Sequence, residues 1–244
     1  MRSDFSATVM RAMSILPNNV VIFGYNALKR TVAGKVIERH YISNREHLKK
    51  MIEPDAYIED QNTADWEEVL YGVNPFNKED VHASYNICGV IATFNALLAL
   101  GEHVDSASIA RLIRIYEQKG VALKGLLGTT PNSIASFFKH RGYKVKMIST
   151  SDKAKIDAFG KEHDTYLVIV MNNKKTLEDY MHTVNISIDD EGLRRTFFVH
   201  NGRERRVVRV NDSLSRAIAA INKHGSNTQN RALIIMGIDK DNNK

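Results

Sequence analysis

"HASYNICGVIATFNALLALG" occupies residues 82–101 and holds Cys88, the only cysteine among 244 residues. An apolar run follows the thiol at once, from Val90 through Leu100. It has the length of a helix and stops at Gly101, a residue suited to the left-handed turn that closes one. The stretch therefore predicts a buried helix over 88–100 with the thiol in its first turn. A thiol is a useful nucleophile only as its thiolate. Free cysteine ionises near pH ~8.5, and a helix N-terminus or a neighbouring imidazolium lowers that value. First-turn amides have no partner inside the helix and can hold a thiolate or an oxyanion. Gly89, next to the thiol, would let a substrate backbone approach closely. The competing reading makes Cys88 a small core residue, because free cysteine is often buried. Position alone leaves both open.

Composition narrows the class. Hydrophobic content of 43% and charged content of 25% fit a globular chain with a sizeable core. One cysteine excludes a disulfide within the chain and fits a reducing compartment. The segment "MRSDFSATVMRAMSILPNNVVIFGY" (1–25) is broken by Pro17, Asn18 and Asn19, and it lacks the continuous apolar region of a secretory signal. No run reaches the roughly 18 apolar residues of a membrane span. We expect a cytoplasmic protein with no membrane span. The net charge is +6, with basic residues gathered in "RRTFFVHNGRERRVVR" (194–209). That run reads as a solvated strand pair with exposed arginines rather than a nucleic-acid surface. No Cys/His cluster has ligand spacing and no glycine-rich phosphate loop is present, so no metal and no cofactor is expected.

The chain divides near residue 80. In the first part we read a helix over 5–15, a strand "VVIFGY" (20–25) and a strand "KVIERHYI" (35–42). A helix opening at Ser43, with Glu46 three residues on, and a helical segment "TADWEEVLYG" (63–72) follow. "NPFNKED" (74–80) is a connector. After helix 88–100, "DSASIARLIRIYEQKG" (105–120) has Ile109, Leu112, Ile113 and Tyr116 at helical spacing. "TTPNSIASFFKHRG" (129–142) has Pro131 in a first turn and Gly142 at its end. Strands dominate afterwards, at 143–149, 165–172, 181–188, 194–200, 205–210 and 231–238, with helices at 152–161 and 213–225. "DDEG" (189–192) is the expected hairpin turn. Helices first and an antiparallel sheet later indicate an α+β fold.

A nucleophile needs a base. Of nine histidines, His40, His47 and His103 lie in polar stretches, and His140, His163 and His224 lie near helix ends. His182 differs because it opens the strand "HTVNISI". Across a hairpin centred on 190–191 it would face 199–200, which brings Asn201 within reach of the imidazole. Asp189 and Asp190 would sit roughly 20 Å away, at about 3.3 Å per residue.

This order of elements resembles the papain-like cysteine peptidases, most closely the C39-type domains that cleave bacteriocin leaders. The resemblance rests on the "CG" at 88–89, the turn and helix "LLGTTPNSIASFFKHRGYKV" (126–145), "MHTVNI" (181–186) and "VHNG" (199–202), and it covers about 80–240. It implies a papain-like fold over 80–244 and a peptide or protein substrate. It also implies Cys88 as nucleophile, His182 as general base and Asn201 as orienter. The family usually places a glutamine six residues before the cysteine to hold the oxyanion. Here that position is His82, and Asn86 is the nearest amide; either would supply the donor. Residues 1–79 have no counterpart and form an extension or subdomain: a specificity addition, a propeptide-like cover or an interaction module. The alternatives are a non-catalytic peptide-binding module on the same fold and a papain-like acyltransferase.

Overall fold

A computed structural model describes residues 16–171, 181–191, 194–202, 207–221 and 231–241. Its elements in chain order begin with α1 (Asn18–Ala27), β1 (Lys29–Arg30), α2 (Gly34–Met51), a 3-10 turn (Ala64–Glu67), β2 (Leu70–Val73) and β3 (Asp80–His82). The helical layer continues with α3 (Cys88–Ala99), α4 (Ser106–Lys119), β4 (Val121–Ala122) and α5 (Pro131–His140). Then come β5 (Lys144–Ile148), α6 (Lys153–Phe159), β6 (Thr165–Met171), β7 (Met181–Glu191), β8 (Arg194–His200), β9 (Val208–Asn211), α7 (Leu214–Ala220) and β10 (Arg231–Asp239). The fold is α+β, as the sequence predicts.

Local chemistry explains most boundaries. α3 is apolar all round, and Gly89 through Leu97 are buried, so it forms the middle of the core rather than a surface helix. Asp105 caps α4 by accepting from the Ser108 N–H at 2.8 Å. Thr130 caps α5, with Pro131 in the first position. Gly101, Gly120 and Gly142 end the three helices with positive φ.

The main sheet has six strands in the order β5-β10-β6-β7-β8-β9, and every neighbouring pair is antiparallel. Both of its faces are covered. Leu167, Ile169 and Met171 of β6 join the cluster that holds α3, α4 and α5. Tyr166, Val168 and Val170 alternate to the other face and meet Ile156, Phe159, Leu214 and Ile218 of α6 and α7. The first cluster also takes in Val21, Tyr25, Ile37, Leu48, Trp66 and Tyr71. Residues on both sides of position 79 therefore share one core, and α2 packs on α4.

Several sequence expectations for the first part are corrected. "VVIFGY" lies in α1 and "KVIERHYI" lies in α2, which runs unbroken through Ser43. β-branched residues suggested strands there, but Val21, Ile37, His40, Asn44 and Leu48 fall at helical spacing and all face inward. Segment 63–72 is a single 3-10 turn followed by β2, paired with β3 across the connector. The β7–β8 hairpin also differs. Glu191 pairs with Arg194, and Asp189 and Asp190 are paired strand residues rather than turn residues. The helix expected over 213–225 stops at Ala220, where Ile221 turns extended; the helix expected at 5–15 and the hairpin tip lie outside the described residues.

Candidate active site

Cys88 is the first residue of α3 and is partly exposed, although the helix behind it is buried. Its N–H stands outside the helical ladder, as every first-turn N–H does. The thiol lies at the wall of a solvent-open cleft with about 530 Å³ of empty space, which His182, Thr183, Gln61, Tyr25 and Leu127 also line.

His182 comes from β7 and lines the same cleft as the thiol, on which it acts electrostatically. Its Nε2–H donates to the main-chain carbonyl of Asn201 at 2.6 Å. That bond fixes the tautomer and leaves Nδ1 for Cys88. Burial pushes the Cys88 thiol up. The hydrogen bond and charge of His182, with the N–H and hydroxyl of Thr183, outweigh it, so the thiol ionises below its ordinary range. The imidazole is displaced the other way. Burial lowers it, but the hydrogen bond and charge of Cys88 and the Asn201 carbonyl raise it more. The two shifts have the same sense: each group favours the charged form of the other.

Asn201 does meet His182, by a different route from the one expected. The register pairs Asn185 with His200, so β8 ends before it can face His182. Asn201 follows with φ of 57°, and this turn carries its carbonyl back to the imidazole. Its side-chain amide goes elsewhere: Oδ1 accepts from the Gln61 N–H at 3.2 Å, and Nδ2 donates to Gln61 Oε1 at 3.0 Å. The orienting atom is thus a main-chain oxygen.

The two candidate oxyanion donors are placed apart from that role. His82 is exposed on β3 and its Nδ1–H donates to the Glu67 carbonyl. It does not line the cleft. Asn86 does line the cleft, but its amide donates to the Tyr71 carbonyl at 3.0 Å and to the Gly125 carbonyl. Those bonds tie β2 to the loop before α5. Gly89 is buried, and a Cβ there would stand 2.8 Å from Thr129 Cβ and 3.0 Å from its Oγ1. The glycine lets the start of α3 pack on Thr129, a different need from the close approach of a substrate.

Sequence reasoning missed Gln61. It precedes Cys88 by 27 positions and sits in an irregular segment, yet it lines the same cleft; its Nε2 donates one hydrogen to the Ser84 carbonyl at 3.4 Å, which leaves the second. The only signal was the alternation of Tyr57, Glu59 and Gln61 after Pro54, which marks an extended strap. Tyr25 was missed too. Its hydroxyl donates to the Leu127 carbonyl and latches α1 to the loop beside the thiol. Burial, and then the charge of Cys88, push that phenol far up, so it stays neutral.

Among the described residues no group of three or more His, Cys, Asp or Glu could hold a metal ion, and none of their helices is long and apolar enough to cross a membrane. Comparison of the chain with family models, with curated proteins and with solved structures returns no match.

Proposed function

We propose that the chain is a thiol-dependent cysteine peptidase of papain-like architecture that acts on a peptide or protein. One observation carries the reading: His182, held by the Asn201 carbonyl, lines the same open cleft as the Cys88 thiol. The Cys88 thiolate attacks the scissile carbonyl and forms the C–S bond. The carbonyl oxygen becomes an oxyanion, held by the Cys88 N–H and by the amide of Gln61. His182, charged in the resting pair, gives its Nδ1 proton to the leaving amine as the C–N bond breaks. Neutral His182 then takes a proton from water, which attacks the thioester; the C–S bond breaks, and the acid leaves with the Cys88 thiolate and charged His182 restored. An amine in place of that water would make the enzyme an acyltransferase with the same first half-reaction.

A peptide-binding module without chemistry would need no lowered thiol and no tautomer-fixed imidazole. Labelling with a peptidyl epoxide tests the reading. Wild type should be labelled at Cys88, His182→Ala should react at the rate of the denatured chain, and Cys88→Ala should not react. Peptide turnover that survives Cys88→Ala would overturn the assignment.

A further inference from the structure

We propose that the strap Tyr57–Gln61 is a positioning device that holds the Asn201 carbonyl on His182, with Glu59 as its central positioning residue. The inference rests on the thiolate–imidazolium reading of Cys88 and His182, and it assigns part of that pair's geometry to the first 79 residues.

The strap alternates. Tyr57, Glu59 and Gln61 face the end of β8, while Ile58 faces α3. Glu59 Oε1 accepts from His200 Nδ1 at 2.6 Å, and Glu59 Oε2 accepts from the Asn201 N–H at 3.4 Å. Tyr57 lies flat on the His200 ring, with centroids 3.8 Å apart and planes 6° apart. His200 is buried and its Nε2 pairs with Ser187 Oγ at 2.7 Å. Gln61 holds the Asn201 side chain through the two bonds described above. On the other edge, the Ile58 N–H donates to Asn95 Oδ1 and Asn95 Nδ2 donates to the Ile58 carbonyl, both at 2.9 Å. Asn95 lies two turns along α3 from Cys88. One short segment thus ties the helix that carries the nucleophile to the turn that carries the acceptor for the base.

The series Ser187–His200–Glu59 has the hydrogen-bond order of a serine hydrolase triad, but Ser187 and His200 are buried and Tyr57 covers the ring. It is a clamp. Asn201 needs one, because a non-glycine residue with φ near 57° is held there only by its surroundings. Without Glu59 the turn can relax, and its carbonyl moves from the imidazolium.

The test is the pH profile of alkylation by iodoacetamide, which reports Cys88 alone. Wild type, Glu59→Gln and Glu59→Ala are compared in the full chain, with circular dichroism and a thermal transition as the record of folding. We expect the low-pH limb to move up by about one pH unit in Glu59→Ala, so that alkylation is slowed up to roughly ten-fold at pH values below the wild-type limb. Glu59→Gln keeps one acceptor oxygen and should fall between. A merely structural role would lower the thermal transition and leave the profile where it is. If Glu59→Ala fails to fold, Glu59→Gln and Tyr57→Leu carry the test, and profiles equal to wild type in both overturn the proposal. Fast wild type with unmoved, folded Glu59 variants overturns the strap and leaves the Cys–His pair standing. Wild type no faster at pH 6 than its denatured chain overturns the pair itself, and the strap with it.

Discussion

Replacing Asn201 separates the two ways in which this residue can serve the imidazole. If its side-chain amide oriented the ring, glycine and alanine would be equally harmful. The structure gives the ring the main-chain carbonyl instead, and both substitutions keep that oxygen. They differ in backbone cost, because Asn201 has φ of 57°. Glycine adopts that region freely, whereas alanine pays about 1–2 kcal/mol. Both lose the two bonds to Gln61, a deficit of about 1–3 kcal/mol for each buried group left unpaired, reduced where cleft water can replace it. We therefore expect both variants to be less stable than wild type, with Asn201→Ala below Asn201→Gly by about 1 kcal/mol. With a urea slope of about 2 kcal/mol per M, the midpoints should differ by about 0.5 M. Alkylation at pH 6 should stay close to wild type in Asn201→Gly and fall in Asn201→Ala. Equal midpoints would refute the backbone argument. An Asn201→Gly protein as slow as His182→Ala would refute the main-chain assignment and return the role to the side chain.

The remaining expectations concern the oxyanion and a buried histidine. Gln61→Ala should lower peptide turnover by about 10²–10³-fold, while His82→Ala should stay near wild type; the reverse order would restore His82 to the site. His40 is buried between Glu117, at 2.8 Å, and Asp80, at 3.0 Å. Burial lowers its proton affinity, but the two carboxylates raise it more, Glu117 first. A histidine raised in the folded state stabilises fully below its unfolded value near ~6.5 and loses that contribution as pH rises through the folded value. The stability gap between wild type and His40→Asn should therefore be wider at pH 5.5 than at pH 9. The opposed shifts of Cys88 and His182 are common to both proteins and cancel in the difference. A gap that is constant or widens with pH would remove the charged His40.

Much of this was legible in the chain, and the misses have physical reasons. α3, α4 and α5 could be read because their caps are local: Asp105, Thr130 and Pro131 at the starts, glycines at the ends. Cys88 and His182 were legible because each opens an element with a fixed direction. α1 and α2 were not, because β-branched runs carry weak propensity and tertiary burial decides. Val21 and Tyr25 are buried by the core that α3 and its neighbours build. The β7–β8 register was missed by four residues, because "DDEG" looks like a turn while Asp189 and Asp190 still pair. Asn201 stayed within reach of His182 only because its left-handed turn sends the carbonyl backwards. Gln61 was out of reach altogether. Its closeness to Cys88 comes from a strap folded across the helix and sheet, and no local pattern records such a contact.

The central claim is that Cys88 and His182 rest as a thiolate–imidazolium pair, and a thiolate titration tests it most directly. The ultraviolet absorbance of wild type minus that of Cys88→Ser isolates one sulfur, because the chain has one cysteine. The account predicts a thiolate signal already present at pH 6, where an ordinary thiol of pKa ~8.5 would be about 0.3% ionised. It also predicts that His182→Ala moves the transition upward. A wild-type transition at or above the ordinary thiol range, unmoved by His182→Ala, would contradict it.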